Sequence, residues 1–261
     1  MKVLTWNTWH DKHEIDERVL LLTKTIADGQ YDTVFIQENT DYQNHTVAHH
    51  IAQTTGHHVT TGGDKEISSG RSGLAILTRQ TPTWTRSGPL SAAGTGRLLS
   101  VEITHHGKTW HLACTHLTWG GDKEHVRLDE ARNIERVAKE RNADVTILAG
   151  DLNTLPDHDT IRHLTGRAAA THGDHTYWVD AWEASKQTGG ETSCPANKYA
   201  HVTAAANGID NALYIPDRRI DYIMTRGWAY GKPGYPTEVH LVGTPGNEAS
   251  DHTGVAATLL D

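Results

Sequence analysis

The chain has 261 residues, with 24 Lys or Arg against 32 Asp or Glu and a formal net charge of −8. That balance argues against a broad electrostatic grip on nucleic acid, although a bound cation can neutralise phosphate locally. No apolar run is long enough to span a bilayer. The opening residues Met1-Lys2-Val3-Leu4-Thr5-Trp6 enter a strand pattern rather than a secretory signal. Only Cys114 and Cys194 carry thiols, which fits a reducing compartment, so a cytoplasmic protein is expected. Nothing resembling a linker, a low-complexity tract or a repeat divides residues 1–261, so we expect a single domain with one sizeable core. The 19 histidines, including the pairs His49-His50, His57-His58 and His105-His106, read as a solvated surface that gains charge below about pH 6.5.

Val3 to Trp6 reads as a buried strand with Asn7 just past its end. Residues 11 to 28 read as a helix: Asp11 caps it with Glu14 reaching back, Ile15, Val19, Leu22 and Ile26 form its apolar stripe, and Gly29 ends it. Thr33 to Gln37 is the next strand and delivers Glu38. Residues 45 to 55 read as a second helix and Ser72 to Thr78 as a buried strand, whereas Leu98 to Thr104 and Thr109 to Thr115 read as a hairpin turning through His105-His106-Gly107-Lys108. Cys114 falls in that second strand as a small core residue. Residues 124 to 142 read as a helix with Leu128, Ala131, Ile134 and Ala138 on one face. Val145 to Ala149 is a strand feeding Gly150-Asp151. The Gly-, Asn- and Ala-rich stretch 183 to 217 reads as a long loop. Arg219 to Thr225 and Gly254 to Leu260 are the last strands. Strands that run apolar throughout, with helices lying between them, predict an α/β fold in which two sheets pack face to face with helices outside.

Polar residues recur where these strands end. In chain order they fall in Thr5-Trp6-Asn7, Gln37-Glu38, Gly96-Arg97, Thr115-His116-Leu117, Gly150-Asp151-Leu152-Asn153, Arg219-Ile220-Asp221-Tyr222 and Ser250-Asp251-His252. Hydrolysis of a phosphate diester needs a cation on the phosphoryl oxygens, an activated water and donors for the developing charge. Carboxylate and amide oxygens suit Mg²⁺ or Mn²⁺ better than zinc, and Asn7, Glu38, Asp151, Asn153 and Asp251 supply them. Taken singly, each residue has a structural reading. Asn7 would cap a turn, Asp221 would pair with Arg219 at the surface, and Arg97 would pair with a carboxylate. The ordered set is what those readings do not explain.

The same set resembles the endonuclease/exonuclease/phosphatase superfamily, in which Gly-Asp-x-Asn and Ser-Asp-His follow one another in this order. The resemblance covers essentially the whole chain. It implies a four-layer α/β sandwich of two face-to-face mixed β-sheets flanked by helices, and a Mg²⁺- or Mn²⁺-dependent phosphoesterase, most naturally a phosphodiesterase. By motif position, Glu38 becomes the main metal ligand, with Asn7 and Asp251 assisting. Asp151 positions or deprotonates the attacking water and Asn153 bonds the phosphate. His116 donates to the phosphoryl oxygens, and Asp221 orients His252 as general acid or base. Arg97 contacts phosphate, and Trp9, His10 and Trp119 form a substrate wall. The Thr115-His116-Leu117 form departs from the Tyr-x-x-Asn of abasic-site endonucleases. The expected partner is a phosphate-ester substrate, whether small molecule, lipid head group or nucleic acid, with no membrane span and no obligate protein partner evident. A nuclease is the alternative within the class; a non-catalytic phosphate-ligand binding protein and a zinc hydrolase are alternatives outside it.

Overall fold

Alternation along the first strand sends Val3 to one face and Leu4 and Trp6 to the other, and both faces are apolar. A strand with two apolar faces has to lie between two layers, and the computed structural model shows that arrangement. It describes residues 1–67, 70–168, 177–206, 208, 216–227 and 230–261. The elements are β1 (Lys2–Asn7), α1 (Ile15–Gly29), β2 (Thr33–Tyr42), β3 (His45–Thr46), α2 (Val47–Thr55), β4 (His58–Ile67), β5 (Gly70–Thr78), β6 (Trp84–Pro89), β7 (Arg97–His105), β8 (Lys108–His116), α3 (Glu124–Arg141), β9 (Val145–Asp151), α4 (Asp159–Leu164), β10 (Trp178–Asp180), α5 (Ala181–Ala184), α6 (Ala200–Ala206), β11 (Asp221–Arg226), β12 (Pro236–Val242) and β13 (Gly254–Leu259).

One sheet runs β12-β13-β1-β2-β5-β4, with β3 added to β2; the other runs β10-β11-β9-β8-β7-β6. Each has one parallel pair, β1 with β2 and β8 with β9, and is otherwise antiparallel, so both sheets are mixed. Val3, Phe35, Ile76, Val101, Leu112, Ile147 and Ile223 fill the space between the sheets. On the outer face of the first sheet, Leu4, Val34 and Ile36 meet Val19, Leu22 and Ile26 of α1 and Val47 and Ile51 of α2. On the outer face of the second, Ala113, Leu148 and Met224 meet Ala131, Ile134 and Ala138 of α3 and Ile161 and Leu164 of α4. This is the four-layer sandwich that the sequence implies.

Three readings need correction. The first helix begins at Ile15, not at residue 11, and has no side-chain cap. Trp9, His10 and Glu14 sit at φ values of 58°, 46° and 53°, which break any helix upstream. The stretch 183 to 217 is not simply a loop: it holds the end of α5 and all of α6, and Ser193 bridges to Arg218. Its residues 207 and 209–215 lie outside the described residues. The histidine pairs are not uniformly solvated. His57 is buried with its ring bonded to the Tyr31 carbonyl at 2.9 Å and to Thr55 Oγ1 at 2.8 Å, and His105 is buried with Nε2 at 2.8 Å from Asp261.

Candidate active site

Two parallel pairs bring four carboxyl-terminal strand ends to one edge of the sandwich. In the second sheet the register aligns Arg97, His116, Asp151 and Asp221 as direct neighbours in one row across β7, β8, β9 and β11. In the first sheet Asn7 ends β1 beside Gln37, and Glu38 follows at a bulge in β2 with φ 55°. Because β13 runs antiparallel to β1, its approach from Ser250 through His252 meets the same edge.

The side chains then converge. Asn7 Nδ2 donates to Asp151 Oδ2 at 3.1 Å and to Glu38 Oε1 at 3.3 Å, joining the two sheets. Its Oδ1 accepts from the Trp9 amide at 3.0 Å, so Asn7 braces both carboxylates with its amide nitrogen. Asp151 Oδ1 accepts from the Asn153 amide at 2.9 Å, while Oδ2 lies 3.5 Å from His116 Nε2 and 3.9 Å from His252 Nε2. Asn153, at φ 51°, turns its Nδ2 to the Leu117 carbonyl at 3.0 Å and so ties the loops after β8 and β9 together. His252 Nδ1 is 2.8 Å from Asp221 Oδ2.

Burial and charge set the proton affinities. Burial raises the Asp151 carboxyl above its ordinary range and the neighbouring Asp221 charge raises it further, against the pull of His116 and His252. Burial alone would lower the His252 imidazole, but the charge and hydrogen bond of Asp221 overcome it and hold the ring well above the usual histidine value. One ring nitrogen of His252 thus faces Asp221 and the other faces Asp151. Burial works against ionisation of Glu38 too, yet contact with His10 brings its pKa down to about 2, so it is a carboxylate throughout the physiological range.

A divalent cation would need oxygen donors that nothing else satisfies. Asp221 Oδ1 is a buried carboxylate oxygen with no hydrogen bond among the described residues, and Glu38 Oε2 meets the His10 ring nitrogen at 2.8 Å. Asp151, Asp221 and His252 also bring one potential ligand atom each within 4.8 Å of the others. In that trio His252 offers a nitrogen, which a hard cation takes less readily than a carboxylate oxygen. Glu38 fits a hard cation better.

Not all the expected residues join this cluster. Asp251 accepts from Thr203 Oγ1 of α6 at 2.8 Å and turns toward that helix. Trp9 is only 8% exposed; Arg18 covers its ring at 5.1 Å and Tyr199 packs at 5.1 Å, which leaves no face for a substrate to stack on. Trp119 is the opposite case, 66% exposed, and lines a cleft with Lys65, Ser72, Arg97 and His116. Among the described residues Arg97 makes no ion pair; its guanidinium donates only to the Gly96 carbonyl, at 3.2 Å.

Several residues that the sequence reading left out hold this edge together. Glu130 of α3 is fully buried and accepts from the Gly96 amide at 3.1 Å, the Thr118 amide at 2.9 Å and the Thr118 hydroxyl at 2.5 Å, fixing the loops that carry Arg97 and Trp119. Thr192 Oγ1 accepts from the amides of Ile220 and Asp221, both at 3.2 Å, so the 183–217 stretch positions Asp221 from behind. Arg18 is buried in the same role for the loop after β1. The signal for Arg18 was present: an arginine beside Val19, on the apolar side of a helix.

The model of the family described as Endonuclease/Exonuclease/phosphatase family matches residues 4–252. Among solved structures, a D. rerio TDP2 complexed with single strand DNA product superposes with a TM-score of 0.76 at 21% identity, covering 100% of this chain and 99% of that one. An endonuclease/exonuclease/phosphatase family protein from Leptotrichia buccalis gives 0.73 at 17% identity, with 100% of both chains covered. A family protein from Bacteroides vulgatus gives 0.72 at 16%, covering 99% and 98%. No curated protein sequence matches this chain. At these identities the structural likeness speaks for the fold, whereas the family match spans nearly the whole sequence. This chain belongs to the endonuclease/exonuclease/phosphatase family, whose members are hydrolases acting on phosphoesters.

Proposed function

We propose that the chain, working as one domain, is a Mg²⁺- or Mn²⁺-dependent phosphodiesterase. The observation that carries this reading is the join made by Asn7, which links Glu38 of one sheet to Asp151 of the other within hydrogen-bond distance of both. When bound at Glu38, a divalent cation supplies positive charge opposite the phosphoryl oxygens. Asp151, with its proton affinity raised by burial, holds and deprotonates the attacking water. His116 and the protonated His252 donate to the phosphoryl oxygens, and Asp221 fixes the tautomer and orientation of His252. Asn153 steadies Asp151 through its amide and faces the phosphate. Asp251 stands behind this group, bonded to α6.

A second reading makes the diester a nucleic acid. It is favoured by the cleft in which exposed Trp119 stands with Arg97 and Lys65, an aromatic face beside two cations. The TDP2 structure in complex with single strand DNA is consistent with it. The −8 net charge weighs against long, non-specific tracts and leaves short strands or ends.

Incubation of supercoiled plasmid and of bis(p-nitrophenyl) phosphate with Mg²⁺ or Mn²⁺ tests both readings, with Asp151→Ala as the contamination control. Turnover of the small diester by wild type alone supports a phosphodiesterase, and nicking adds the nuclease reading. Equal activity in wild type and Asp151→Ala refutes the assignment of Asp151. A wild type inert on every phosphate ester offered leaves a binding protein.

A further inference from the structure

The loop between β1 and α1 is held in a costly conformation. Trp9 and His10 are consecutive non-glycine residues in the left-handed region, at φ 58° and 46°. Such residues cost on the order of 1–3 kcal/mol each and persist where the surroundings over-determine them. Here Asn7 accepts from the Trp9 amide, Tyr199 packs on the Trp9 ring, and one buried side chain gathers the loop's carbonyls. The Arg18 guanidinium is buried and donates to the carbonyls of Thr8, Trp9, His10, Lys12, His13 and Ala249, at 2.7 to 3.4 Å. It also lies over the face of Trp9.

This bracing delivers one group to the site. His10 Nε2 lies 2.8 Å from Glu38 Oε2, with both side chains largely buried. Among the described residues Glu38 Oε2 has no further hydrogen bond and His10 Nδ1 has none. Two neighbouring ligands at right angles on one ion, each about 2.1 Å from it, stand ~3 Å apart. The separation of His10 Nε2 and Glu38 Oε2 matches that edge. A simple ion pair at this place would not need two strained residues and a six-carbonyl clamp to hold it.

We propose that His10 is a ligand to the divalent cation, joining Glu38 in a mixed nitrogen–oxygen donor set that favours Mn²⁺ over Mg²⁺. An imidazole nitrogen suits transition ions, whereas Mg²⁺ takes oxygen ligands and keeps its water. The proposal rests on the reading of Glu38 as the cation-binding residue and deepens it by assigning a second ligand and a metal preference.

The test is Mn²⁺ binding to the full chain, followed by electron paramagnetic resonance, with pulsed detection of ¹⁴N coupled to the bound ion. His10→Asn is the informative variant, because Asn tolerates the left-handed backbone and so keeps the loop. Wild type is expected to show ¹⁴N coupling that disappears in His10→Asn and survives in His116→Gln and His252→Gln. Mn²⁺ affinity in His10→Asn should fall on the order of ten-fold or more, with Mg²⁺ affinity, read by competition, changed far less. Bound Mn²⁺ without ¹⁴N coupling in wild type, or coupling retained in His10→Asn, overturns the proposal and leaves Glu38 as the cation site. Failure of wild type to bind Mn²⁺ at all, or full binding by Glu38→Gln, overturns the cation reading of Glu38 itself.

Discussion

Replacing Gly150 with Ala tests whether the meeting of β8 and β9 sets the distance between His116 and Asp151. Gly150 has φ 151°, and a Cβ placed there would stand 1.9 Å from the Thr115 carbonyl oxygen, a backbone atom that cannot rotate away. Thr115 and Gly150 are register partners, and the next pair along is His116 and Asp151. To reach even a 3.0 Å contact the strands must part by about 1 Å or the peptide must turn over. Overpacking costs about 1–3 kcal/mol and the unfavourable backbone about 1–3 more, so a loss of about 4 kcal/mol is expected. For a chain of this size that lowers Tm by roughly 8–16 °C. Displacement of about 1 Å at the row of site residues should also reduce turnover of a diester by about 10²-fold. Gly107→Ala is the control: φ there is 74°, but nothing lies within 4 Å of the added methyl, so only the backbone cost of about 1 kcal/mol remains. Urea unfolding and steady-state hydrolysis at matched metal concentration give both numbers. If Gly150→Ala costs no more stability than Gly107→Ala and retains its activity, the strand contact does not set the site and the reasoning fails.

Asp221→Asn keeps the shape of the dyad but removes the charge that raises the proton affinity of His252; kcat should fall by about 10²–10⁴-fold, and unchanged kcat would remove Asp221 from the proposed machinery. Trp119→Ala should weaken a single-stranded oligonucleotide by about 1–3 kcal/mol if the ring is a stacking platform, while its 66% exposure leaves the unfolding midpoint in place; unaltered affinity would take the ring out of the binding surface. His111 gives a pH test away from the site. Its ring is buried with neither nitrogen bonded among the described residues, and burial lowers its pKa to about 4. The folded value lies below the unfolded one of about 6.5, so this contribution is whole above pH 6.5 and is lost as pH falls toward 4, by about 3 kcal/mol. His111→Phe should flatten that part of the stability curve, and a wild-type stability that does not decline over this window would show that the ring is not held neutral.

What could be read from the sequence, and what could not, divides by position in the sheets. The strands β1, β2, β5, β7, β8, β9, β11 and β13 lie inside the two sheets or next to their centres, and both faces of each are covered, so each announced itself as an apolar run. The strands that escaped were β4, β6, β10 and β12, which are the four sheet edges, and the two-residue β3, which was read as the start of a helix. An edge strand needs little apolar pattern, as Trp84–Pro89 and its mostly exposed residues show. The site divides the same way. Asp151, His116 and Asp221 were legible because strand ends point at one edge, and register then makes them neighbours. Trp9 and His10 were both expected at the substrate wall, and loop geometry brought only His10 to the site. Two left-handed residues turn the tryptophan inward onto Arg18 and the histidine toward Glu38. No periodicity encodes that choice. Its cause is a guanidinium at residue 18, in the next helix, satisfied by six carbonyls, that of His10 among them, so a side chain outside the row of site residues determines which ring faces Glu38.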